Sequence, residues 1–198
     1  EAGNLKATDF GIVPPTTSQG IKIISVNLFL PGEDEPVIWR GPLLAGMVKR
    51  FWKETDWREL DYLLVDLPPG TGDVPLTVMQ SLPVDGIVVV SAPQELVLMV
   101  VKKAVKMVKK LNIPIAGLVE NMSYARCPYC DEQLELFGVS HAQEVADQLK
   151  IPLLGRLSWN PQLNHLMDQG NVEGYTDDEV VRLSEELVKR VPQPHKNG

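Results

Sequence analysis

The chain has 198 residues, 44% hydrophobic and 23% charged, which suits one sizeable core and reads as a single domain over residues 1–198. Its net charge of −7 repels nucleic acid, and no apolar run reaches the roughly 20 residues that span a bilayer, so neither nucleic acid nor membrane is expected as a partner. The opening EAGNLKATDFG has no basic region followed by an apolar one, and two cysteines make no disulfide framework; together these point to a reducing, cytoplasmic setting.

In chain order, the Pro/Gly-rich segment Gly11–Gly20 reads as a loop and IKIISVNL (Ile21–Leu28) as a strand. A second loop, Pro31–Gly41, leads into an amphipathic helix over Gly41–Glu54. DYLLVD (Asp61–Asp66) is short and apolar, as a buried strand is, and a short helix follows over Asp73–Leu82. DGIVVVSA (Asp85–Ala92) is a further buried strand, and Glu95–Leu111 a long helix. Its lysines 102, 103, 106, 109 and 110 cluster opposite Val97, Val101, Ala104, Val108 and Leu111, the pattern of a solvated helix face. Ile113–Asn121 and Ile151–Leu157 are strands with the helix Val139–Lys150 between them. Thr176 and Glu179 stand in capping-box spacing before a terminal helix, and PQPHKNG (192–198) reads as a disordered tail. Continuous apolar strands alternating with helices predict a doubly wound, mostly parallel α/β sheet with helices on both faces.

Open parallel sheets bind ligands at the C-terminal ends of their strands, so the residues leaving each strand carry the chemistry. They are VDLPPGTGD (Val65–Asp73), SAPQE (Ser91–Glu95), ENM (Glu120–Met122) and SWNP (Ser158–Pro161). An apolar strand ending in Asp66 resembles a Walker B strand, whose carboxylate holds Mg²⁺ through water. Gly70 would let a backbone N–H approach a γ-phosphate with no side chain in the way. The plain alternative is an exposed aspartate at a Pro/Gly turn.

The blocks PVIWRGP, LDYLLVDLPPGTGD, SAPQE, ENMSY…CPYC and LFG, in this order, resemble the Mrp/ApbC-type ATPases, relatives of MinD that carry iron–sulfur clusters to apo-proteins. The resemblance runs from about Gly20 to Gly174 and implies a deviant P-loop ATPase that dimerises and holds a labile [4Fe–4S] cluster between the CxxC motifs of two subunits. It gives Asp66 the Mg²⁺ role and places Gly70, Thr71, Gly72 and Asp73 in the switch that senses the γ-phosphate of ATP. Asp73 also suits an N-cap. Asn121 falls where related ATPases use an asparagine on the adenine edge, and Asn160 and Pro161 fall in the other loop that flanks the base. As structural residues these would be a turn asparagine and a loop. The family pattern puts a Gly-Lys-Ser/Thr loop near the start, but this chain contains no Gly-Lys dipeptide, so it looks like a member without its N-terminal P-loop portion.

Cys127 and Cys130, the only cysteines, form CPYC in a segment without periodicity. A thioredoxin-like dithiol belongs at a helix N-terminus after an early strand, whereas this pair follows a late one. A zinc ribbon needs two such pairs in one chain. Two chains contributing one pair each across a two-fold axis would give four thiolates, suited to Zn²⁺ or to a [4Fe–4S] cluster; the resemblance favours iron–sulfur. His141 is the one further residue placed to add a zinc ligand, and otherwise sits on a helix surface. Trp39, Trp52 and Trp57 read as packing residues. The readings carried forward are a homodimeric cluster carrier serving apo iron–sulfur clients, a MinD-like ATPase with structural zinc, and an interaction module with neither nucleotide nor cluster.

Overall fold

The computed structural model describes residues 6–8, 11–30, 32, 34–36 and 41–192. They fall in two compact units, Glu1–Pro83 and Val84–Gly198. The expected tail beyond Pro192, and Val37–Arg40 of the PVIWRGP block with Trp39, lie outside the described residues.

In the first unit, β1 (Lys6–Thr8) and β2 (Gly11–Val13) pair antiparallel, and α1 (Gly41–Glu54) packs on α2 (Asp73–Ser81). Trp57 donates its ring N–H to the Phe51 carbonyl at 3.1 Å, and Phe29 stacks on Phe51, so this end of α1 is held by aromatic packing. Two expected strands differ from the sequence reading. Ile21–Leu28 makes a single bridge, Thr16 to Lys22, and then coils into a 3₁₀ turn, Val26–Phe29, capped by Ser25, whose hydroxyl accepts the Asn27 N–H. Asp61–Asp66 is not a strand: no described residue pairs with it, and Leu64 is 85% exposed. β propensity describes a residue that fits a pleated surface; without a neighbouring ladder the same residues stay extended and wet.

The second unit holds the sheet. β3 (Ile87–Ser91), β4 (Ile115–Glu120) and β7 (Leu153–Arg156) run parallel in the order β3-β4-β7. α3 (Glu95–Lys110) connects the first two, while a small antiparallel hairpin, β5 (Ala125–Arg126) with β6 (Gln133–Leu134), and α4 (Ala142–Leu149) lie between the last two. Val89, Val101, Val105, Leu118, Val145 and Ala146 from strands and helices, with Ile151 from the segment before β7, form one apolar core, and Leu118 has no exposed surface. Burying each such side chain is worth about 1.5–3 kcal/mol. The lysine stripe of α3 faces away, with Lys109 reaching the Leu149 carbonyl at 2.6 Å. β4 and β7 approach so closely that a Cβ at Gly117 would overlap the Leu154 side chain. α5 (Pro161–Asp168), a 3₁₀ turn at Val172–Gly174 and α6 (Asp178–Val188) complete the unit, with α6 against β7.

The cap of α6 is Asp177 rather than the expected Thr176: its carboxylate accepts the Glu179 N–H at 2.7 Å. α4 begins at Ala142, three residues later than expected, because Gly138 takes a positive φ of 106° and turns the chain before the helix.

Candidate functional site

β3, β4 and β7 are parallel and end at Ser91, Glu120 and Arg156, so everything leaving them gathers at one edge. The Asn121 N–H donates to the Ser91 carbonyl at 2.8 Å, and its side-chain oxygen accepts the Met122 N–H at 2.9 Å, fixing the turn out of β4. The Ser123 N–H donates to Leu157 O at 2.9 Å and the Trp159 N–H to Tyr124 O at 2.7 Å, so the chain leaving β4 runs alongside the chain leaving β7. That pairing brings Asn121, the cysteine hairpin, Asn160 and Pro161 to the same edge.

Asn160 is the N-cap of α5. Its Oδ1 accepts the Gln162 N–H at 2.9 Å, and Pro161 occupies the first helical turn, where its missing N–H costs nothing. Its Nδ2 donates to the Tyr175 hydroxyl at 3.2 Å. A cavity of about 540 Å³ opens here, lined by Asn160, Pro161, Trp159, Arg126 and the first turn of α6. It places the residue beside Cys127 and the proposed base-side loop on one surface.

The cysteines sit at the tip of the β5–β6 hairpin. The Cys127 N–H donates to Glu132 O at 2.9 Å, and the Asp131 N–H closes back on Cys127 O at 2.9 Å, with Asp131 at a φ of 59°. The amides of Tyr129 and then Cys130, followed by the Cys130 thiol, face the Cys127 sulfur and hold its pKa below that of an ordinary cysteine. Cys130 is exposed and Cys127 partly so. Among the described residues no group of three or more His, Cys, Asp or Glu side chains converges as a metal site, so His141 does not join the cysteines; its ring lies 3.3 Å from Glu144 instead. One chain therefore offers two cysteine side chains at an open tip.

Two glutamates at the edge are not singled out as site residues by the sequence. Glu120 is wholly buried; its Oε1 accepts the Ser123 hydroxyl at 2.5 Å, Arg156 Nε donates to that same hydroxyl at 2.6 Å, and Glu120 Oε2 has no partner among the described residues. Glu179 accepts the Tyr124 hydroxyl on Oε1 and the Ser158 N–H on Oε2 at 2.9 Å. Burial works against its charge, but those two bonds outweigh it and keep Glu179 below the usual carboxylate range, while burial and then Glu179 push the Tyr124 hydroxyl up. The available signal was a glutamate ending an apolar strand and a second one inside a capping box.

The remaining predicted residues belong to the first unit. Asp66 is exposed in the extended segment, and Gly70 takes a positive φ of 97° that favours glycine. Thr71 and Gly72 lead into α2, where Gly72 is the N-cap and Asp73 the first helical residue, so Asp73 is not the cap that its sequence position suggested. Its carboxylate instead abuts Gly41 at the start of α1, where a Cβ would overlap Asp73 Oδ2.

A family model described as ParA, the NUBPL iron-transfer P-loop NTPase, matches residues 1–192. The chain belongs to this family. Relatives with similar sequences include the iron–sulfur cluster carrier protein of Clostridium perfringens, 47% identical over 82% of this chain and 57% of that protein. The iron–sulfur cluster carrier protein of Methanocaldococcus jannaschii is 42% identical over 91% of this chain and 63% of its own length. The iron–sulfur cluster transfer protein NUBPL of Mus musculus is 35% identical over 96% of this chain and 61% of that protein. The chain thus spans about three-fifths of the curated relatives it matches. A nucleotide-binding protein from Archaeoglobus fulgidus, solved in complex with ADP, superposes with a TM-score of 0.76 at 42% identity, covering 89% of this chain and 68% of that one. The cell-division ATPase MinD of Pyrococcus furiosus superposes at 0.54 and 22% identity, covering 76% of this chain and 59% of that one, which shows the P-loop NTPase fold alone. No described helix is long and apolar enough to cross a membrane.

Proposed function

We propose that this chain is the cluster-binding part of a cytoplasmic iron–sulfur carrier that works as a homodimer and delivers its cargo to apo iron–sulfur client proteins. The observation that carries the reading is a CxxC pair at an open hairpin tip with two free cysteines per chain and no third ligand among the described residues. A [4Fe–4S] cargo needs four, so Cys127 and Cys130 of two copies supply them across a two-fold axis. Tyr129, Leu134, Leu136, Phe137 and Val139 are exposed around the tip and give such a contact apolar surface to bury. The amides that lower the Cys127 pKa favour its thiolate, the form that binds iron. The exposed position also suits release to a client.

In the complete protein the cargo step is coupled to ATP binding and hydrolysis. Asp66 holds Mg²⁺ through water, Gly70, Thr71, Gly72 and Asp73 respond to the γ-phosphate, and Asn121, Asn160 and Pro161 contact the base. The ADP named for the Archaeoglobus relative supports a nucleotide on this fold. With no Gly-Lys dipeptide among its residues, the 198-residue chain by itself hydrolyses ATP at background level.

Anaerobic reconstitution tests the reading. The wild-type chain takes up iron and sulfide with a visible charge-transfer band, and Cys127→Ala or Cys130→Ala each abolish retention. Zinc alone, held without iron or sulfide, would support the structural-zinc ATPase instead, and binding of neither metal would leave only an interaction module.

A further inference from the structure

The cysteine hairpin is not anchored by an apolar core of its own, since Leu134 and Leu136 are half exposed and only Ala125 at its base is buried. Beside the backbone bonds from Ser123 to Leu157 and from Trp159 to Tyr124, its side-chain attachment is polar and converges on one carboxylate. Glu179, in the first turn of α6, has a side chain 12% exposed. Its Oε1 accepts the hydroxyl of Tyr124, immediately before the hairpin, and lies 3.5 Å from Arg126, immediately before Cys127. Its Oε2 accepts the N–H of Ser158, two residues before Asn160. One side chain therefore grips both segments that leave the sheet.

The grip extends in each direction. Arg126 turns to Asp131 at 3.5 Å, and the Asp131 N–H donates to Cys127 O at 2.9 Å. On the other side, the Glu179 N–H donates to Asp177 Oδ1 at 2.7 Å, the Tyr175 hydroxyl donates to Asp177 Oδ2 at 2.7 Å, and Asn160 Nδ2 donates to that hydroxyl at 3.2 Å. The two Arg126 contacts are long and half exposed, so they contribute little. The bonds from Tyr124 and Ser158 to a mostly buried carboxylate are charge-assisted and dominate.

We propose that Glu179 is the positioning residue that fixes the cysteine hairpin against the loop carrying Asn160, and so sets where the thiolates stand relative to the base side of the site. The inference deepens the carrier reading and rests on it for the metal arm of the test only.

The test compares the full chain as wild type, Glu179→Ala and Glu179→Gln by hydrogen exchange and by cobalt(II) titration, the metal being followed through its thiolate charge-transfer band. In Glu179→Ala the amides of residues 125–134 exchange faster while those of β3, β4 and β7 keep their protection, and cobalt affinity falls about tenfold as the cysteine pair loses its preorganisation. Glutamine accepts the Ser158 N–H with its oxygen and donates its amide to the Tyr124 oxygen, so Glu179→Gln stays near wild type in both measurements. Unchanged hairpin exchange in Glu179→Ala would overturn the proposal, as would equal loss of protection in hairpin and sheet, or a glutamine variant as impaired as alanine. If the wild type takes up no cobalt, the carrier reading fails, and the exchange pattern still decides whether Glu179 is the clamp.

Discussion

Asn160 and Glu179 each carry a structural bond at the edge proposed to function. Asn160 caps α5 through Oδ1, which explains its position without any ligand; a base contact would use its Nδ2, now given to Tyr175. Asn160→Ala removes the cap and lowers stability by about 1 kcal/mol, measured by urea unfolding. Glu179 and Asp177 make a pH-dependent contribution whose sign follows from their environment. For Asp177, as for Glu179, burial opposes the charge, and the Tyr175 hydroxyl with the Glu179 and Val180 amides outweighs it, so both carboxylates titrate lower folded than unfolded. Their stabilisation is fully present above the unfolded carboxylate range near pH 4 and is lost as pH falls through the lowered folded values. Glu179→Gln therefore flattens the acid side of the stability profile; an acid limb as steep as wild type would contradict the assignment.

At the scale of elements, the sheet and its helices were legible because β3, β4 and β7 are continuous apolar runs bounded by turns, and α3 separates valines from lysines along its length. Ile21–Leu28 and Asp61–Asp66 carry equally good strand signals, yet neither becomes a strand, because pairing depends on a partner that local sequence does not report. The β5–β6 hairpin was not legible either: its strands are two residues each and rest on backbone bonds around Cys127, not on hydrophobic alternation. The CxxC pair was visible from spacing alone, whereas the Glu179 clamp required knowing that β4 and β7 are neighbours. The energetic consequence is uneven. Leu118→Ala, at the centre of the core, costs about 2–5 kcal/mol. Asp66→Ala, on an exposed extended segment, stays within about 0.5 kcal/mol by thermal or urea unfolding.

For the molecule as a whole, the chain is a family member that spans about three-fifths of its curated relatives and displays two free cysteines beside an exposed apolar collar. In the proposed carrier a cluster held by four thiolates requires two chains, and a two-fold contact between them would bring the same hairpin to meet itself. Because the hairpin tip is open and makes no core contacts, Cys127→Ala leaves the fold intact and removes only the cargo, which separates loss of binding from loss of folding. Iron and sulfide content measured against oligomeric state, by anaerobic size exclusion of the reconstituted wild type and Cys127→Ala, tests this most directly. The account predicts about one cluster per dimer in the wild type and a cluster-free variant of unchanged stability; a monomeric cluster-bearing protein, or a cluster that survives Cys127→Ala, would contradict it.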